Sequence, residues 1–128
     1  MRVLLDTHAL LWWLAGDEQL STRAKQTIAH PANSIFVSAA SAWEITTKHR
    51  LGKLPGIGPL AVDFQREVEQ QGFTPLAISI SHAQMAGSLS GAHRDPFDRM
   101  LIAQAREEKM ALVSIERLFD EYDVRRVW

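Results

Sequence analysis

Cysteine is missing altogether from the 128 residues, which excludes disulfides, thiolate metal sites and cysteine nucleophiles and is compatible with a reducing compartment. Any apolar run long enough to cross a bilayer is missing too. The stretch Ala9 to Ala15 falls well short of the ~20 residues a spanning helix needs, and Asp6 sits where a signal peptide requires an unbroken apolar core. A cytoplasmic protein with no membrane partner is therefore expected. Neither sign of charge dominates, with Lys and Arg numbering 14 and Asp and Glu 15. Global attraction to nucleic acid is thereby removed, and any such contact must come from a local basic patch. There is no internal repeat and no low-complexity tract. His8, His49 and His93 lack any metal-ligand spacing, so they read as core or surface histidines and zinc is not expected.

What is present is an ordinary globular composition, 46% hydrophobic and 23% charged, in a chain the size of one domain spanning 1–128. Short β-type runs alternate with longer helical stretches, the pattern of an α/β layered fold with a mostly parallel sheet. Strands are expected at Arg2 to Leu5, Ser34 to Val37, Thr74 to Ile78, Ala111 to Val113 and Val124 to Trp128. Between them come helices from Thr7 to Leu14, from a Ser21 cap to about His30, and from Ala39 to Leu51 under a Ser38 cap and closed by Gly52. A loop at Lys53 to Pro59 precedes one helix from Leu60 to Gln71, whose Leu60, Phe64 and Val68 share an apolar face. Ser81 is expected to cap a helix through about Leu89. The stretch Gly91-Ala92-His93-Arg94 then delivers the chain to a helix from Asp95 to about Glu108, and a turn of helix follows near Leu118.

Acids stand where these apolar runs stop or turn into helix: Asp6, Glu44, Asp95 with Asp98, and Glu116. If the runs are parallel strands, each acid lies near a strand's carboxyl end or a helix start, where open α/β sheets place their ligands. Each also has an ordinary role. Asp95 followed by Pro96 is a near-ideal helix start, Asp6 can cap the helix after it, and Glu44 can pair with Lys48 at i+4. Carboxylates ~4 Å apart repel by about 4 kcal/mol per pair at an effective dielectric of ~20. A cluster of them thus calls for a proton, a cationic side chain or a metal. All-oxygen ligands favour Mg²⁺ or Mn²⁺.

The stretches Leu5-Asp6-Thr7-His8, Ser38 to Leu54 (SAASAWEITTKHRLGKL) and His93 to Ala105 (HRDPFDRMLIAQA), with the closing Val113-Ser114 turn and Val127-Trp128, resemble a PIN domain of the VapC toxin type over nearly the whole chain. The resemblance implies a three-layer α/β/α sandwich around a parallel sheet and a metal-dependent ribonuclease. It also implies that the protein is a toxin, a homodimer held by a small cognate antitoxin. By position Asp6 matches the first acid, Glu44 the second and Asp98 the third, with Asp95 as an additional acid of the subgroup. At the fourth the chain departs: the family has Thr or Ser, one residue, then Asp, whereas Ser114-Ile115-Glu116 supplies a longer Glu. The fourth metal contact stays open, since a Glu can reach through water or turn away. Thr7 and Ser114 match small hydroxyl positions that orient acids, and ordinary capping explains them equally well.

Under this reading a bound Mg²⁺ or Mn²⁺ activates water against the scissile phosphate. Lys48 offsets crowded acids, and Arg94, Arg99 and Lys53 meet substrate phosphates. Trp43 and Phe97 can stack bases, while Trp12 and Trp13 are expected at a dimer or antitoxin contact. Two competing readings differ in class. One is a catalytically impaired RNA- or protein-binding module, to which Glu116 gives some encouragement. The other is an aspartyl-phosphate phosphatase, weakened because His8 stands where a second Asp is wanted.

Overall fold

The computed structural model describes residues 1–91 and 93–128; Ala92, in the expected approach to Asp95, lies outside them. Strand β1 (Arg2–Leu5) leads directly into helix α1 (Thr7–Ala15), which ends where Gly16 adopts the left-handed conformation a side chain would resist. After α2 (Thr22–Ala29), capped by Ser21 as expected, come β2 (Ser34–Ser38) and α3 (Ala39–Arg50), then α4 (Gly58–Val62) and α5 (Phe64–Gln70). Strand β3 (Thr74–Leu76) is followed by α6 (Ile80–Ser88) and α7 (Pro96–Glu107). The chain closes with β4 (Ala111–Val113), a 3₁₀ turn (Arg117–Tyr122) and β5 (Arg126–Val127).

The strands form one sheet in the order β3-β2-β1-β4-β5, every pairing parallel. Period-two alternation sorts the sheet's side chains onto two faces. Val3, Leu5, Ile35 and Val37 pack with α1, α2, α3, α4 and α5 through Leu10, Ile28, Ile45, Leu60 and Val68. Leu4 and Leu112 face the other way, onto Leu101, Ile102 and Ala105 of α7 and Phe119 of the 3₁₀ turn. The result is the expected α/β/α sandwich. Leu101 and Ile102 are fully buried, each contributing about 1.5–3 kcal/mol relative to exposure.

Local differences from the expected elements have local causes. The helix expected from Leu60 to Gln71 breaks at Asp63, whose backbone leaves the helical region (φ −143°, ψ 79°) and whose carboxylate instead accepts from the Arg66 amide at 3.2 Å, capping α5. Ser79, not Ser81, caps α6, because His82 returns a bond to the Ser79 amide and completes a capping box. The third and last strands are shorter than expected, and Ala77 turns its carbonyl to Gln104 (3.3 Å) rather than continuing β3.

Candidate active site

The chain runs outward from β1 to β2 and β3, then returns to the opposite side of β1 for β4. Such a reversal opens a crevice at the carboxyl ends of the two strands that part company. Asp6 and Ser114 sit there side by side, the Asp6 amide donating to Val113 carbonyl at 3.1 Å. Asp6 is 4% exposed and caps α1, its Oδ1 accepting from the Ala9 amide at 2.7 Å. Burial holds its carboxyl above the usual range and Glu116 adds to the rise, against lowering contributions from the Ser114 hydroxyl, the Ala9 amide and His8.

Glu44 enters from the second turn of α3, buried at 5% exposure. Both its oxygens are engaged. Thr7 Oγ1 donates to Oε1 at 2.6 Å, and Lys48 Nζ lies 2.5 Å from Oε2. Thr7 Oγ1 in turn meets Ser41 Oγ at 3.0 Å, so a hydroxyl pair ties the start of α1 to α3. Ser41 is a residue that the sequence reading missed, since a small polar residue within a helix carries no signal of its own.

Asp98 belongs to the first turn of α7, where Asp95 caps the helix by accepting from the Phe97 (2.9 Å) and Asp98 (3.1 Å) amides. Partial burial raises the Asp98 carboxyl to about 6, with Asp95, Glu44 and Asp6 each adding to the rise and His93 opposing it. Two acids far away in sequence, Asp6 and Glu44, and one close by, Asp95, therefore act on one carboxyl. Each is turned to a hydrogen-bond partner of its own, and among the described residues no three acid or histidine side chains stand close enough together to ligate one ion as they lie. Glu116 is exposed at the rim, its amide donating to Ser114 Oγ at 3.0 Å.

The cations divide. Arg94 and Lys53 are exposed, and Lys48 is paired with Glu44. Arg99, also expected to meet substrate, has its guanidinium engaged within the chain: it donates to the carbonyls of Ala86 (3.0 Å), His93 (2.9 Å) and Leu89, latching α7 to the end of α6 and to His93. Trp12 and Trp13 are likewise engaged within the chain. Trp12 packs on His8 and Trp128, and Trp13 packs on Phe73 and donates to Gln71 Oε1 at 3.0 Å. Trp43 is the tryptophan left outside, 63% exposed and edge-on to Phe97 at 5.0 Å.

The PIN-domain family matches residues 3–125, and the chain belongs to that family. It is 31% identical over 118 residues to Ribonuclease VapC22 of Mycobacterium tuberculosis, covering 90% of this chain and 87% of that protein. It is 42% identical over 69 residues to Ribonuclease VapC16 of the same organism, covering 54% and 48%. Among solved structures its fold is similar to that in VapBC2 from Rickettsia felis bound to a DNA fragment from their promoter, with a TM-score of 0.71, 13% identity and coverage of 98% and 97%. It is similar also to VapBC-1 from nontypeable Haemophilus influenzae, with a TM-score of 0.66, 14% identity and coverage of 98% and 96%.

Proposed function

We propose that residues 1–128 act as one domain, a metal-dependent endoribonuclease and the toxin of a toxin-antitoxin pair, working in the cytoplasm. The observation that carries the reading is the placement of Asp6, Glu44 and Asp95 near Asp98 at the carboxyl end of the parallel sheet, where burial first and then the charge of those acids hold Asp98 near 6. A donor set made only of carboxylate oxygens matches a hard divalent ion, Mg²⁺ or Mn²⁺, in its chemistry, and the side chains would turn from their present partners to ligate it together. Asp6, Glu44 and Asp98 would hold it, with Glu116 reaching in from the rim. Bound there, the ion supplies Lewis acidity toward a phosphodiester.

The rest of the work belongs to the chain. Thr7 and Lys48 fix the rotamer of Glu44, so its orientation does not have to be found anew when substrate arrives. Asp95 positions Asp98 through the amides it caps. Exposed Arg94 and Lys53 meet the RNA backbone as phosphate contacts, which orient substrate without reading its sequence. An apolar groove of about 230 Å³, lined by Trp43, Phe97, Ala40, Ile78 and Met100, suits an apolar segment of a small antitoxin, and a homodimer completes the assembly. Two curated relatives are ribonucleases by name, and the solved neighbours are toxin-antitoxin complexes; both support this reading.

Purified protein supplied with Mn²⁺ should cut single-stranded RNA. Asp6→Asn and Asp98→Asn should each lower the rate at least about 100-fold, with far-UV circular dichroism unchanged, because a ligand acid is lost without altering shape. Cleavage at the wild-type rate by both variants would refute this choice of acids.

A further inference from the structure

His93 lies outside the acids just described, yet its side chain, amide and carbonyl are each held by a different residue. Its Nε2 lies 3.0 Å from Asp98 Oδ2. Its backbone is gripped from both ends, the amide donating to Tyr122 hydroxyl at 3.0 Å and the carbonyl accepting from Arg99 Nη1 at 2.9 Å. Its ring leans on Phe119 and Tyr122, with centroids 5.9 and 6.4 Å away. Phe119 is fully buried and Tyr122 nearly so, so the imidazole rests against a wall that belongs to the core.

Gly91 shows what this grip requires. A Cβ placed there would stand 2.6 Å from the Tyr122 hydroxyl, and its φ of +107° disfavours a side chain in any case. The chain thus gives up a side chain at Gly91 so that the tyrosine hydroxyl can reach the His93 amide. Arg99 makes the complementary contact from α7, the same helix that carries Asp98. Histidine and acid are therefore referenced to one rigid element. With Asp98 ionised, the imidazole must donate from Nε2, which fixes both its tautomer and which carboxylate oxygen it occupies, leaving Oδ1 directed elsewhere.

We propose that His93 is a positioning residue of the nuclease site: it locks the rotamer of Asp98 so that one carboxylate oxygen is committed to the protein and the other is presented to the crevice. The proposal rests on the nuclease reading above. It assigns His93 no proton transfer, and its effect passes entirely through Asp98. Outer-shell partners of metal-site acids characteristically change affinity or activity by about 10–100-fold when removed.

The test compares wild type, His93→Ala, His93→Gln and Tyr122→Phe. Calorimetric titration with Mn²⁺ and steady-state cleavage of a single-stranded RNA are measured on each, together with long-range ¹H–¹⁵N spectra of His93 in wild type and Asp98→Ala. Expected are an Nε2–H tautomer in wild type that is lost in Asp98→Ala, and a Mn²⁺ Kd raised and kcat lowered by about 10–100-fold in His93→Ala with KM for RNA within about two-fold. His93→Gln, whose amide can still donate, should recover most of the loss, and Tyr122→Phe should show a smaller loss of the same kind. His93→Ala with wild-type Kd and kcat, a mixed or Nδ1–H tautomer in wild type, or a His93→Gln variant no better than alanine would each overturn the proposal while leaving the nuclease standing. A wild type that neither binds Mn²⁺ nor cuts RNA would overturn the nuclease reading and this inference with it.

Discussion

Asp98 faces opposite demands. Its carboxyl is partly buried beside Asp95, Glu44 and Asp6 and titrates near 6, well above its ordinary 3.8. The folded protein therefore keeps a proton that the unfolded chain releases between those two values. The contribution of Asp98 to stability without divalent ion is fully present below about pH 4, is lost as pH rises toward 6, and is flat beyond. Replacing the acid by its neutral isostere removes the fall. Asp98→Asn, unfolded by urea in chelator, should be more stable than wild type by about 1–2 kcal/mol at pH 7, the shift being discounted for partial exposure. The gain should shrink toward zero at pH 4. A variant less stable than wild type at pH 7 would show that burial and neighbouring charge do not disfavour the ionised Asp98. At this scale the acids themselves were legible, because Asp6, Glu44 and Asp98 interrupt or border apolar runs. Their partners were not. Ser41, His93 and Arg99 take their roles from contacts with distant backbone and side chains, and a guanidinium bound to three carbonyls looks in sequence like one waiting for a phosphate.

Element by element, capping chemistry was the most legible. Ser21, Ser38 and Asp95 all cap the helices expected of them. Asp95 allows its two possible roles to be separated: serine can accept from the same amides but brings no charge. Asp95→Ala should cost about 1 kcal/mol in urea unfolding, and Asp95→Ser only a few tenths. If the cap is its main duty, Asp95→Ser also retains RNA cleavage within a few-fold. A large loss of cleavage with stability intact would instead make Asp95 a member of the acid set. The break between α4 and α5 was hidden, because Leu60, Phe64 and Val68 keep helical spacing straight through Asp63. The helix stops there with the competing bond that the Asp63 carboxylate accepts from the Arg66 amide.

For the molecule as a whole, alternating strand and helix patterns announced the parallel sheet, whereas the strand order could not be read from them. The order β3-β2-β1-β4-β5 makes β1 central and brings Asp6 beside Ser114. It is also what lets α3 and α7 bring Glu44 and Asp98 near enough to Asp6 to raise Asp98. Among the described residues no helix is long and apolar enough to cross a membrane. Under the proposed function these separated acids hold one kind of hard cation in the folded state and not in the unfolded chain. An ion present at ~10 times its Kd then adds about 1.4 kcal/mol, a rise of roughly 3–6 °C in Tm for a domain of this size. The direct measurement is the thermal midpoint against Mn²⁺ concentration for wild type and for Asp6→Asn/Asp98→Asn. A saturable rise of that size is expected in wild type and none in the double variant. A wild-type midpoint unmoved at millimolar ion, or an equal rise in both proteins, would contradict it.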